Sequence, residues 1–424
     1  MDIRKVCPAK DLPQELLGEI FIRCSPENIR YHIQPDLNLP PLVFSYVCRS
    51  WRNAALRNPR LWQKLRMDVT IDYDQETIPL WQLDALQYWA SRMGSLLPSL
   101  YFRHVAGLSF DGGVVPCSEF FNSSVVSKAQ ALTMLDFFDF DLLVNIPFNH
   151  LEYLSIILPE YETKCSLDLP LIPTLRRLYI CLGQAHINPL PQLSWETLTH
   201  LGVSVTIRFE EFCDILAQCV NLSRCCVWIA IRVVHVRAGP AMPHHNLRML
   251  SLQGETNVAV GIFTRFSFPS LLALRLSYLT PRLKDIHRVV HATPRLKEFH
   301  LQLYSNDVNQ FIGEAQDPRL AGALSKFLPG LVRLVIEPSF TFFDPSHQIF
   351  SILHSGWLEN SHSELTVEFI FGCPEIAHNV ILDTSSFRAV ARCVPGGLWR
   401  RRLLSVEDLM DRWDDKILDF SVLD

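Results

Sequence analysis

An apolar pattern, L-x-x-L-x-L, returns along most of the chain and restricts its fold more than any other feature. It reads LTMLDF at Leu132, LEYLSI at Leu151, LRRLYI at Leu175, LTHLGV at Leu198 and LSRCCV at Leu222. It continues as LRMLSL at Leu247, LLALRL at Leu271, LKEFHL at Leu296 and LVRLVI at Leu331. From Leu151 to Leu296 the copies start about 23 to 25 residues apart, a period that marks arrays of one supersecondary unit. Less regular copies stand at Trp62 (WQKLRM), Leu97 (LPSLYF) and Leu365 (LTVEFI), and spacings widen after Trp62, Leu97, Leu296 and Leu331. Prolines 173, 269, 294 and 329 set the turn into several copies. Residues 209–219, 282–292 and 318–328 carry apolar side chains at helical spacing. Strand, turn and helix in repetition predict parallel strands on one wall and helices on the other.

This period and signature resemble the leucine-rich repeats. The resemblance implies an α/β solenoid, with a parallel sheet on the concave side and helices on the convex side. The asparagine usual after the third apolar position is absent; Cys181, Ser204, Trp228 and Gln253 stand at or near that place, so the array is degenerate. Ser405 and Asp408 suit the start of a last helix. Val406, Leu409, Met410, Trp413, Ile417 and Phe420 would form its buried stripe and close the array at about residues 405–420.

The N-terminal stretch reads differently. Pro13 suits a first helical turn, and Leu16, Leu17, Ile20, Phe21 and Cys24 succeed it at helical spacing. Pro26, Asn28, Pro35, Asn38, Pro40 and Pro41 predict a loop. A second helix is predicted from near Pro41, with Phe44, Val47, Cys48, Trp51, Ala54 and Ala55 on one side. Asn58 and Pro59 make a turn into a third short helix with Leu61, Trp62 and Leu65. Three short helices in about 55 residues bury little surface, so their remaining apolar face is a natural binding surface. The order LP, E-L-L, I-F, V-C-x-x-W and L-W resembles an F-box, although the loop between the first two helices is longer than usual.

The resemblance implies an all-α F-box over residues 8–65, with the repeat solenoid over 66–424. It implies a Skp-type adaptor, and through it a cullin, bound by Leu12, Pro13, Glu15, Leu16, Leu17, Ile20, Phe21, Val47, Cys48 and Trp51. F-box proteins with leucine-rich repeats of mushroom-forming fungi have a similar overall look. The expected function is substrate recognition for an SCF-type cullin–RING ubiquitin ligase, by positioning and without a covalent step of its own. A plainer reading makes the helices a cap on the solenoid, and the chain a repeat-based interaction scaffold with no ligase role.

Composition narrows the alternatives. At 48% hydrophobic residues and a net charge of −5, the chain has ample core material and lacks the basic excess of a nucleic-acid binder. The start lacks an apolar signal core, and the longest apolar run, 225–236, is too short for a span, so no membrane partner and a cytoplasmic or nuclear location are expected. The 12 cysteines are scattered without a CxxC pair and read as reduced, buried residues; Asn122 and Asn221 match the glycosylation pattern by chance. His244 and His245 lie near Cys213, Cys219, Cys225 and Cys226, but the spacing fits no common zinc pattern, so no metal and no cofactor are expected. Arg400, Arg401 and Arg402 read as a solvated helix start. The common hydrolase, phosphate-loop, metalloprotease and dinucleotide motifs do not occur.

Strand alternation points the fourth and sixth pattern positions into the core and the third, fifth and seventh onto the open face. The third positions stack as Tyr153, Arg177, His200, Arg224 and Met249; the fifth and seventh add Tyr179, Cys226 and Trp228. Arginine forks and flat aromatic rings suit an acidic or phosphorylated protein segment. Tyr153, Arg177, Tyr179, His200, Arg224 and Trp228 are therefore the expected substrate-binding patch, unless loops cover them or the register is off by one.

Overall fold

Phe21 is the ring around which the N-terminal helices close in the computed structural model. The structure describes residues 12–24, 38–72, 75–105, 112–137, 141–158, 169–186, 193–229, 241–254, 256–277, 289, 291–303, 330–338, 366–372, 380–383 and 388–394. Helix α1 (Gln14–Cys24) starts directly after Pro13, whose carbonyl accepts from Leu17 N at 3.1 Å. Helices α2 (Leu42–Val47) and α3 (Arg49–Arg57) bring Phe44 and Trp51 onto Phe21, with ring centroids 4.2 and 5.0 Å away. The sequence predicts one helix through both aromatic residues; the structure breaks it at Cys48, which is extended (φ −160°, ψ 173°). Seven residues of straight helix separate two side chains by ~10.5 Å along the axis. Phe44 and Trp51 lie 6.3 Å apart. The break is what lets both rings reach one partner, and Arg52 Nε pins it by donating to Ser45 O at 2.8 Å.

The third short helix is instead a single 3-10 turn, Pro59–Leu61, with Asn58 Oδ1 accepting from Arg60 N. Strand β1 (Lys64–Val69) begins almost at once, so Leu65 is a strand residue. Trp62 joins the helices to the first repeat. Its Nε1 donates to Ala55 O at 2.9 Å, and its own carbonyl accepts from Trp89 Nε1 at 2.6 Å. Buried indoles need such partners, since an unmet N–H forfeits its hydration.

The chain forms two compact units, residues 1–183 with 187–194 and residues 184–186 with 195–424. After β1 the first unit continues through β2 (Thr77–Pro79), α4 (Leu80–Met93), β3 (Ser99–His104), β4 (Val114–Pro116), α5 (Cys117–Phe121) and α6 (Ser124–Ser127). It is completed by β5 (Ala131–Leu135), α7 (Asp141–Val144), β6 (Tyr153–Ile157) and β7 (Arg177–His186), whose last three residues are counted with the second unit. Strands β1, β3, β5, β6 and β7 pair side by side in parallel, while β2 and β4 make a small antiparallel pair.

The second unit runs β8 (His200–Thr206), α8 (Phe209–Gln218), β9 (Arg224–Ile229), β10 (Met242–Pro243), β11 (Met249–Gly254), α9 (Thr256–Arg265), β12 (Phe266–Ser267) and β13 (Ala273–Ser277). It ends with β14 (Glu298–Leu303), β15 (Arg333–Pro338), β16 (Thr366–Gly372), β17 (Val380–Asp383) and β18 (Arg388–Val394). The parallel order is β8, β9, β11, β13, β14, β15, β16, β18. β10 pairs with β12, and β17 returns antiparallel to β18, two features not expected from the pattern. Both units are α/β and dominated by parallel pairing.

Before most of the parallel strands among the described residues, one backbone carbonyl accepts two N–H groups of the next repeat. Glu152 O takes Arg176 N and Arg177 N, both at 2.9 Å, and Arg248 O takes Leu272 N and Ala273 N at 2.8 and 3.1 Å. Asn221 and Asn246, each just before a copy of the pattern, donate back to Glu196 O and Val220 O. These bonds carry the register from strand to strand, and the side chains agree with it. Leu154, Ile156, Leu178, Ile180, Leu201, Val203, Leu250 and Leu252, at the fourth and sixth positions, are all buried.

Two copies are shifted. Leu132 pairs with Leu154, so the copy starts at Ala129 and not at Leu132. Ala129, Leu132 and Met134 fill the core, whereas Leu135 is half-buried and Asp136 ends the strand at φ 67°. The leucine-rich reading LTMLDF lost to the buried reading AQALTM. Likewise Val367 stands opposite Leu334, which moves the copy at Leu365 back to Glu364. Among the described residues no helix is long and apolar enough to cross a membrane. The expected helices at 318–328 and 405–420, most of that at 282–292, the loop over 25–37 and Arg400–Arg402 lie outside the described residues.

The register makes a measurable difference between two neighbouring leucines. Leu132→Ala should cost ~2–5 kcal/mol in denaturant unfolding, as buried leucine truncations do. Leu135→Ala should cost distinctly less, about 1 kcal/mol. The reverse order would restore the register beginning at Leu132.

Candidate functional site

The N-terminal module sorts its apolar residues by helix face. Leu17 and Phe21 point inward and are buried. Leu16 and Ile20, one residue earlier and so ~100° around the helix, stand outside at 53% and 42% exposure. Pro13 and Glu15 are exposed with them, and Leu12 is half-buried. On α2, Val47 is 56% exposed, while Cys48 and Trp51 are half-buried. Of the ten expected adaptor contacts, Pro13, Glu15, Leu16, Ile20 and Val47 are thus surface residues, and Leu17 and Phe21 serve the module's interior.

Tyr46, 62% exposed beside Val47, is a surface aromatic residue that the sequence reading missed. An unbroken second helix assigns its contact face to 44, 47, 48 and 51; the break at Cys48 turns Tyr46 and Val47 outward together. Arg49, Arg52 and Arg57 are exposed along α3 and give the module a basic rim. The ion pair of Arg60 with Glu19 at 3.2 Å is exposed on both sides and contributes little.

On the open face of the first unit, Tyr153 and Arg177 are register neighbours and both are half-buried. Tyr179, expected as an accessible ring, is buried at 2% exposure. Its register neighbour Ser155 and, one strand further, Thr133 are small and buried too, so this row is packed and not open. Farther along the same row, on β1 and β3, Arg66 lies over the Tyr101 ring at 5.1 Å.

In the second unit His200 and Arg224 are neighbours, both half-buried, and Met249 beyond them is buried. Trp228 sits in β9 opposite Ser204 and Gln253; its side chain lies outside the described residues. Farther along, beyond Met249, a polar group comes together that the expected patch does not include. Arg275 Nη2 donates to Gln302 Oε1 at 3.5 Å, and Arg333 Nη1 stands 3.9 Å from Glu298 Oε2. His300, between Arg275 and Val335 in register, is buried. The third and fifth positions of LLALRL, LKEFHL and LVRLVI held that signal.

The histidine and cysteine neighbourhood is a packed one. His244 is buried, and its Nε2 faces Cys219 O at 2.9 Å instead of a thiol. Burial pushes the Cys219 and Cys213 thiols up to about 12 and that of Cys226 up to about 11, the last against a Ser251 hydrogen bond and the Arg275 charge. Such thiols stay protonated and are poor nucleophiles. Among the described residues no three side chains converge as a metal site. In the first unit, burial lowers His104 and raises Asp136, whose carboxylate lies 3.7 Å from Arg103 Nε.

The chain matches no known family model and no curated protein.

Burial lowers both His104 and His244, so the folded chain resists protons that the unfolded chain takes up. Stability should therefore fall as pH drops through the ordinary histidine range and recover above it. Asp136, raised by burial, acts in the opposite sense in the carboxylate range. Thermal melting across this window should show the slope, and His244→Gln should flatten it; an unchanged slope would assign it elsewhere.

Proposed function

We propose that this chain is the substrate-recognition subunit of an SCF-type cullin–RING ubiquitin ligase, with an F-box over residues 8–65 and a leucine-rich-repeat solenoid over 66–424. The observation that carries the reading is the apolar surface of the N-terminal module. Phe21, Phe44 and Trp51 already fill its interior, yet Leu16, Ile20, Tyr46 and Val47 remain in water. Residues of this kind mark interaction sites when the core beneath is complete. The Skp-type adaptor takes that surface and holds the cullin. The strand rows take a protein target, and the chemistry is supplied by proximity to a ubiquitin-loaded enzyme. Acting on protein targets, the assembly works in the cytoplasm or nucleus.

Because Leu16 and Ile20 are exposed, replacing both with Glu should leave the module folded and abolish co-purification of the adaptor. A folded double variant that still brings the adaptor down would sink the F-box reading. A native chain that never brings it down would leave the repeat-based scaffold.

The target side is placed on Tyr153 and Arg177 in the first unit and, separately, on His200 and Arg224 in the second, with Trp228 in register beside Ser204. Half-buried arginines offer forked donors to a carboxylate or phosphate. Truncating one such arginine typically costs ~2–5 kcal/mol of binding when the pair is desolvated. Arg177→Ala with Arg224→Ala should weaken target co-purification and spare the adaptor. Full retention of every partner would exclude these arginines as the target site.

A further inference from the structure

Helix α4 carries two apolar faces where a surface helix normally has one. The inner face, Leu83, Leu86, Trp89 and Met93, is buried. Gln82 lashes the helix to β1, accepting from Thr70 N at 3.2 Å and donating to Asp68 O at 3.1 Å. The outer face is Trp81, Ala85, Tyr88 and Arg92, at spacings of four, three and four residues, one straight stripe on a helix. Trp81 is 60% exposed and Tyr88 45%. Arg92 lies over the Tyr88 ring at 5.0 Å, and Leu80, one turn before Asp84 on the adjoining flank, is exposed too. Gln82 and the Trp89 indole, which donates to Trp62 O, hold this surface rigid, so little ordering entropy opposes its use.

We propose that this stripe is a self-association surface, occupied by α4 of a second copy of the chain running antiparallel. The stripe is its own complement when reversed, because four-three-four reads the same in both directions. A twofold axis midway between Ala85 and Tyr88 sets the Tyr88 ring over the small Ala85 of the second copy, large against small. The same axis sets Trp81 against Arg92 of the second copy, a cation over the best aromatic acceptor. Asp84, Gln87 and Ser91, all exposed, form one flank of the stripe. Like flanks meet in an antiparallel pair, so the Asp84 carboxylate comes level with the amide and hydroxyl donors of Gln87 and Ser91, and no like charges are opposed. A parallel pair would stack Arg92 on Arg92. An isologous contact of this kind closes as a dimer and does not propagate. One helix pair ~21 Å long stays below the ~1,200 Å² of a stable interface, so the dimer is weak and concentration-dependent. The inference stands apart from the ligase reading.

Sedimentation velocity of the full chain over a concentration series tests it. The native chain should pass from monomer to dimer as concentration rises. Trp81→Glu, at an exposed position, should keep the melting temperature and raise the dimer dissociation constant by more than about tenfold, as loss of an anchoring tryptophan does. Arg92→Glu should weaken the dimer too, and Trp81→Phe should largely keep it. A native chain that is monomeric at every concentration, or a Trp81→Glu variant that dimerises like the native chain, would overturn the proposal. So would Trp81→Glu releasing a different bound protein in place of the second copy, which would give the stripe to that protein.

Discussion

Two N–H groups of one repeat sharing one carbonyl of the repeat before it hold the strand rows of this protein in register. The bond pair recurs from Pro98 to Glu152 in the first unit and from Thr199 to Lys297 in the second. A register error of one residue would turn every core side chain to the other face. The ladder therefore decides which leucines leave water. Full burial of one such side chain is worth ~1.5–3 kcal/mol, so the backbone pattern and the hydrophobic pattern reinforce each other at every repeat. Where they disagree, as at Leu132, the strand adopts the register that buries Ala129, Leu132 and Met134.

The N-terminal helices obey a different constraint. They are too short to bury much surface, and their interior is a cluster of three aromatic rings around Phe21. Aromatic pairs at these distances add ~0.5–1.5 kcal/mol beyond their buried area. Meeting that cluster required breaking the second helix at Cys48. The same break presents Tyr46 and Val47 to solvent, so the packing that completes the core also leaves an exposed apolar surface, the one we propose for the adaptor. Trp62 and Trp89 then tie this module to α4, whose outer stripe the inner lashings leave rigid and bare.

The open faces show why outward-pointing residues are not equivalent to accessible ones. Tyr153, Arg177, His200 and Arg224 stay half-buried, while Tyr179, Ser155 and Met249 on the same faces are buried. Alternation predicts direction alone. Whether a ring remains available depends on what packs over it: Tyr179 shares its row with Ser155 and Thr133, and all three are buried.

The sequence by itself determined the repeat period, the strands from Leu151 to Leu331, α8 and the first helix. Each of these arises from local spacing of apolar residues, and spacing is a property of the chain alone. Only the tertiary structure decided the start of the copy at Ala129, the break at Cys48, the exposure of Tyr46 and Trp81, and the polar group of Arg275, Glu298, His300 and Arg333. In none of these cases does local spacing by itself select the outcome among the arrangements the chain allows. The choice between them was made by partners distant in sequence, through ring contacts, shared carbonyls and the side chains of neighbouring strands.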